Sequence, residues 1–141
     1  MLARLLWSLP AGGVLAVQMP DNTNESALML MEKVAASAGI TRANMARNDL
    51  PRPEDYSDLL RPLCSNVDIW HICYNHLIEN HEGVVERFKG SGLRPFFAPL
   101  DVAMRETFIA NYTDEIRRAY PARSNGKVML KFPRLFILAV R

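Results

Sequence analysis

Two cysteines, Cys64 and Cys73, are all that the 141 residues contain. A disulfide-stapled scaffold uses more, so the expectation is two reduced thiols and a cytoplasmic protein. A small secreted domain closed by a Cys64–Cys73 bridge is the rival reading. An excess of one charge is missing too, since 17 Lys and Arg stand against 15 Asp and Glu. That balance argues against a nucleic-acid partner, while leaving room for a local basic pocket. No apolar run approaches the ~20 residues of a bilayer span, so no membrane partner is expected. The opening stretch MLARLLWSLPAGGVLAV has the look of a signal peptide, but Arg4 is its only charge and Pro10, Gly12 and Gly13 interrupt it. Leu2, Leu5, Leu6 and Leu9 instead have helical spacing. Repeats and low-complexity tracts are absent.

What is present is a hydrophobic share of 49%, enough for a globular domain with a core. Its first informative stretch is GGVLAVQMPDN, Gly12 to Asn22. Val14 to Val17 form an apolar run, Gln18 gives it a polar end, and Met19 to Asn22 turn the chain. An apolar run of this kind predicts a strand covered on both faces, the habit of parallel sheets in α/β proteins. Ligands of such sheets gather outside the carboxyl ends of strands, where Gln18, Asp21 and Asn22 would lie.

Further along, the pattern predicts a helix over Glu25 to Ala38, capped by Asn24 and ended by Gly39. Thr41 to Pro53 reads as loop, followed by a short amphipathic helix with Tyr56, Leu59, Leu60 and Leu63 inward. Val67 to Ile78, rich in β-branched and aromatic residues, is a second strand. Glu82 to Lys89 is a short helix ending at Gly90-Ser91-Gly92. Asp101 to Tyr120 is the longest helix, with Met104, Phe108, Tyr112, Ile116 and Tyr120 at steps of four. Lys127 to Val140 is a terminal strand in which Pro133 implies a bulge or kink.

GGVLAVQMPDN, VDIWHICYNH, VVERFKGSGLRP and FPRLFILAV resemble, in this order, motifs of the trans-aconitate 2-methyltransferases. Those are S-adenosylmethionine-dependent enzymes of the Rossmann-like class. The resemblance runs over essentially the whole chain but covers only the family's C-terminal part. It implies an α/β fold holding strands five, six and seven of a class I methyltransferase sheet, with lid helices. Strand seven would be antiparallel and lie beside strand five. Strands one to four would be missing, and the main cofactor site with them. On this view residues 1–141 are a single partial domain, the acceptor-side half. Arg87, Phe88 and Ser91 depart from the family's usual Trp, Val and Thr.

The resemblance implies methyl transfer to a carboxylate oxygen of trans-aconitate or a related polycarboxylate. A carboxylate is ionised near neutral pH, so no general base and no catalytic side chain is expected, only alignment. The candidate substrate-binding residues are Gln18, Asp21, Asn22, Trp70, Tyr74, Lys89, Ser91 and Arg94. Lys89 and Arg94 add positive charge, and arginine can grip a carboxylate through two parallel bonds. Gly90 and Gly92 would let backbone amides face an anion. As a nucleotide fingerprint the segment fails, because it follows a helix.

Each site has a plainer reading: a polar turn, a glycine cap with solvated bases, core aromatics. His71 and His76, five apart, face opposite sides of a strand, and His71 with Cys73 supplies too few ligands, so no metal is expected. Arg134, inside an apolar strand, predicts a carboxylate partner. The rival to a weak or inactive methyltransferase fragment is a non-enzymatic binding module, self-associating through the open edge of strand five.

Overall fold

The computed structural model describes residues 1–40 and 49–141. The elements run α1 (Leu2–Ser8), β1 (Val14–Pro20), α2 (Ser26–Ser37), α3 (Pro53–Leu60), a 3-10 turn (Arg61–Leu63) and β2 (Asn66–Ile78). Then follow α4 (His81–Lys89), α5 (Arg94–Phe97), α6 (Val102–Ala119) and β3 (Val128–Val140). The fold is α/β. The strands form a three-stranded sheet in the order β1-β3-β2, so the last strand lies in the middle. β1 and β3 are antiparallel, in register from Val14 opposite Val140 to Pro20 opposite Arg134.

The described chain divides into two compact units, one of residues 1–21, 49–74 and 132–141, the other of 22–40 and 75–131. In the first, α1 and α3 cover one face of the strands. Leu2, Leu6, Tyr56, Leu60, Leu135, Ile137 and Ala139 form its core, flanked by half-buried Leu15, Val17, Met19, Val67 and Ile69. The opposite row of β1 is exposed, Val14 to 54%. This corrects the expectation of a strand covered on both faces. The run is apolar on both faces, but the helices of this unit pack on only one. β1 is also paired antiparallel, not in the parallel manner that the run implied.

In the second unit α6 packs against α2 and α4. Phe108 and Tyr112 are buried in it, and Phe96 and Phe97 meet the Phe108 ring with centroids 5.9 Å away. Asp101 caps α6 by accepting the Met104 N–H at 2.8 Å, as the sequence predicts. Of the residues at steps of four, Phe108, Tyr112 and Ile116 are buried, and Met104 in the first turn is exposed. α2 is held from outside its own sequence. The Tyr120 hydroxyl accepts the Ala27 N–H at 3.0 Å, and the Tyr112 hydroxyl donates to the Ala27 carbonyl at 2.8 Å. This supplies a partner at a helix start where Glu25, not Asn24, occupies the cap position without a side-chain bond. Gly39, with φ of +77°, ends α2 and lets the Ile40 N–H reach the Ala35 carbonyl at 2.9 Å.

Three further details emerge. Leu59 is 49% exposed while Leu60 is fully buried, because α3 ends there and a 3-10 turn begins. α5 was not foreseen. β3 runs through Pro133, which lies one residue beyond the last β1 pair, and its carbonyl accepts the Asp21 N–H at 3.0 Å. The loop expected over Thr41 to Pro53 falls largely on residues 41–48, outside the described residues.

Candidate functional site

Of the eight sequence-predicted residues, Gln18, Asp21, Trp70 and Tyr74 belong to the first unit. Asn22, Lys89, Ser91 and Arg94 belong to the second.

In the first unit the carboxyl end of β1 carries two polar pairs. Side chains alternate along a strand, so the pairs emerge on opposite faces. On the exposed face Arg134 Nη1 donates to Gln18 Oε1 across the β1–β3 ladder. The Arg134 guanidinium also sits 5.3 Å from the centre of the Phe132 ring. Two residues along β3, Phe136 stacks on Trp70 with centroids 5.5 Å apart and planes 12° apart. Trp70 is 41% exposed, so this face offers an arginine beside an accessible aromatic wall.

On the face covered by the helices, Asp21 Oδ2 lies 2.7 Å from His71 Nε2. Tyr56 stands near, its hydroxyl donating to Met19 Sδ at 3.9 Å. Burial pushes the Tyr56 phenol above its ordinary pKa, and the Asp21 charge pushes the same way.

In the second unit Asn22 is buried, and its carbonyl accepts the Glu25 N–H at 3.1 Å. Lys89 pairs with Glu86 at 2.7 Å. Ser91 and Arg94 are exposed. The amides of Ser91 and Leu93 both donate to the Phe88 carbonyl, at 3.2 and 2.9 Å. Gly90 and Gly92 are not among the residues with positive φ. Gly92 matters instead for packing: a Cβ there would lie 3.2 Å from Phe88 Cδ1 and 3.3 Å from Met31 Cε, so those side chains would have to shift.

Sequence reasoning missed the Arg134–Gln18 pair. A carboxylate partner was expected for this arginine, and the structure gives it a neutral amide instead. The only signal was that Gln18 is the polar end of one apolar strand and Arg134 the charged residue inside another; their pairing needs the strand register. Of the other histidines, His81 Nε2 lies 2.8 Å from the Tyr120 carbonyl oxygen. A surface hollow of about 560 Å³ is lined by Arg61, Pro62, Cys64, Ser65, Asn66 and Val67, at the amino end of β2. No helix among the described residues is long and apolar enough to cross a membrane.

No family profile matches the chain. Individual proteins do. The trans-aconitate 2-methyltransferase of Rhodopseudomonas palustris strain HaA2 is 48% identical over 144 residues, covering 99% of this chain and 56% of its own length. That of Afipia carboxidovorans is 48% identical over 142 residues, covering 98% of this chain and 56% of its own length. That of Agrobacterium fabrum is 42% identical over 144 residues, with coverages of 99% and 56%. The chain thus spans about half the length of the curated relatives it matches. From end to end, the chain is homologous to part of the trans-aconitate 2-methyltransferases and by sequence belongs with that family.

Proposed function

We propose that this chain is the acceptor-side, C-terminal part of an S-adenosylmethionine-dependent O-methyltransferase, which esterifies a carboxylate of trans-aconitate or a related polycarboxylate. The observation that carries the proposal is identity of 42–48% along essentially all of the chain to proteins of that name. The sheet order β1-β3-β2, with the last strand central and antiparallel to the first, supports reading these strands as five, seven and six of the family's sheet. The compartment is cytoplasmic on this reading.

The described residues do not fit the nucleotide of the methyl donor. β1 leads into α2 through Asp21 to Glu25, without a glycine. Gly90 and Gly92 close a helix end, and the amides that follow them are spent on Phe88. Neither the β1–α2 turn nor the Gly90–Gly92 segment offers a donor site built on backbone amides at a strand-to-helix turn. We therefore assign it to the half of the relatives' length that this chain does not span, and expect weak or no activity from the chain alone. What this chain contributes is the acceptor. In the first unit the candidate acceptor residues are Gln18, Trp70 and Tyr74, with Asp21 acting through His71; in the second they are Asn22, Lys89, Ser91 and Arg94. Their work is binding and orientation, because an ionised carboxylate needs no base.

The test supplies the unmatched half of the Rhodopseudomonas relative as a separate polypeptide and follows labelled methyl from S-adenosylmethionine into trans-aconitate. Transfer that requires both polypeptides supports the reading. Full turnover by this chain alone overturns the assignment of the donor site.

The end position of β1 in the sheet favours a second reading, a non-enzymatic module that associates with a second copy. Sedimentation equilibrium separates the two. A monomer at all concentrations removes the association module.

A further inference from the structure

We infer that Arg134 is a carboxylate anchor of the acceptor site, held in position by Gln18. The inference rests on the acceptor reading above and names a residue that reading does not use.

Arg52 pairs with Asp55, Arg117 with Glu82 and Asp114, Arg118 with Glu115, and Lys33 also with Glu115. Arg134 differs. Its partners in the first unit are the Gln18 amide oxygen and the face of Phe132, both neutral. Residues 41–48, TRANMARN, contain no Asp or Glu either. A guanidinium whose partners are neutral leaves its positive charge open to an anion. Gln18 uses one of the five guanidinium N–H groups and fixes the plane of the fork. The remaining donors can meet a carboxylate through two parallel bonds. The Trp70–Phe136 stack on the same face supplies a flat apolar wall suited to the unsaturated carbon skeleton of an aconitate-like acid.

The anchored carboxylate is a recognition group. A carboxylate clamped through both oxygens has neither free to take a methyl group, so Arg134 would hold a carboxyl other than the one esterified. It is thus a specificity residue that demands at least two carboxylates in the acceptor.

The experiment titrates trans-aconitate into the 141-residue chain and follows the arginine side-chain N–H resonances by NMR, with trimethyl aconitate as the uncharged control. The expected result is a shift of the Arg134 Nε–H signal with the acid and none with the ester. Arg134→Gln weakens binding by roughly tenfold or more, and Arg134→Lys restores part of it. Gln18→Glu keeps the arginine but places a carboxylate of the chain on it, and it abolishes binding while the thermal melt stays at or above that of the wild type. This variant carries the test if Arg134→Gln fails to fold. Binding that leaves the Arg134 signal and the Gln18→Glu affinity unchanged overturns the anchor but not the acceptor reading. Absence of binding at millimolar acid overturns both.

Discussion

Asp21 and His71 meet at 2.7 Å across the central strand, though fifty positions separate them in the chain. The pair ties the end of β1 to the edge strand β2. Partly exposed pairs of this kind contribute modestly. Asp21→Ala is expected to lower stability by about 0.5–1.5 kcal/mol in urea unfolding. It should also loosen His71, seen as averaging of its ring resonances. An unchanged ring environment would show that Asp21 does not position it.

Gly92 packs closely against the Phe88 ring and the end of the Met31 side chain. Gly92→Ala drives a methyl against Phe88 and Met31. The expected cost is about 1–3 kcal/mol, as for other overpacked sites. Gly90→Ala meets nothing within 4 Å and serves as the control, with an effect near zero. Equal effects at the two positions would contradict the packing account.

Leu60 and Leu59 make a matched pair, one fully buried and one 49% exposed. Leu60→Ala is expected to cost about 2–5 kcal/mol and Leu59→Ala within about 0.5 kcal/mol. Chemical denaturation of both variants checks the end of α3 directly.

Those neighbours also show how far the sequence could be read. Periodicity located the three strands, α2, α4 and α6, because each carries an apolar pattern long enough to be recognised. It could not tell Leu59 from Leu60, because that depends on where a short helix gives way to a 3-10 turn. The apolar run of β1 was read as doubly covered, since composition reports what a face can bury and not what lies over it. At the candidate site, Gln18 was visible as the polar end of that run. Its partner was not, because pairing Gln18 with Arg134 requires the register of β1 against the last strand, 116 residues away. Gly92 was seen as a loop residue, and its packing role became visible only once α2 and α4 were placed together.

Tyr112 gives a pH prediction. Burial pushes its phenol well above the ordinary tyrosine range, with the neighbouring Tyr120 adding to the shift. The folded state therefore keeps a proton that the unfolded chain gives up above about pH 10. Stability is intact below that pH and falls as pH rises beyond it, by up to about 1.4 kcal/mol per pH unit from this group. Tyr112→Phe loses the bond to the Ala27 carbonyl, about 1 kcal/mol at neutral pH. It also flattens the alkaline fall, leaving what Tyr120 and Tyr56, both raised by burial, still contribute. Urea melts from pH 8 to 11 measure both effects, and an unchanged alkaline slope in the variant would contradict the assignment.

The acidic limb has a separate source. The hydrogen bond from Lys33 holds Glu115 below the usual glutamate range. Glu82 is held low first by its own backbone N–H and then by Arg117. These contributions are present above about pH 4.3 and are lost as pH falls through the lowered values. Lys33→Met should therefore shift the acid unfolding midpoint upward while leaving the alkaline limb in place.

The central claim is that this chain carries the acceptor side of a methyltransferase and not the methyl donor's site. Calorimetric titration with S-adenosylmethionine and, separately, with trans-aconitate tests it most directly. The account predicts heat of binding from trans-aconitate and none from S-adenosylmethionine at micromolar concentrations. Micromolar binding of S-adenosylmethionine by the chain alone would contradict it.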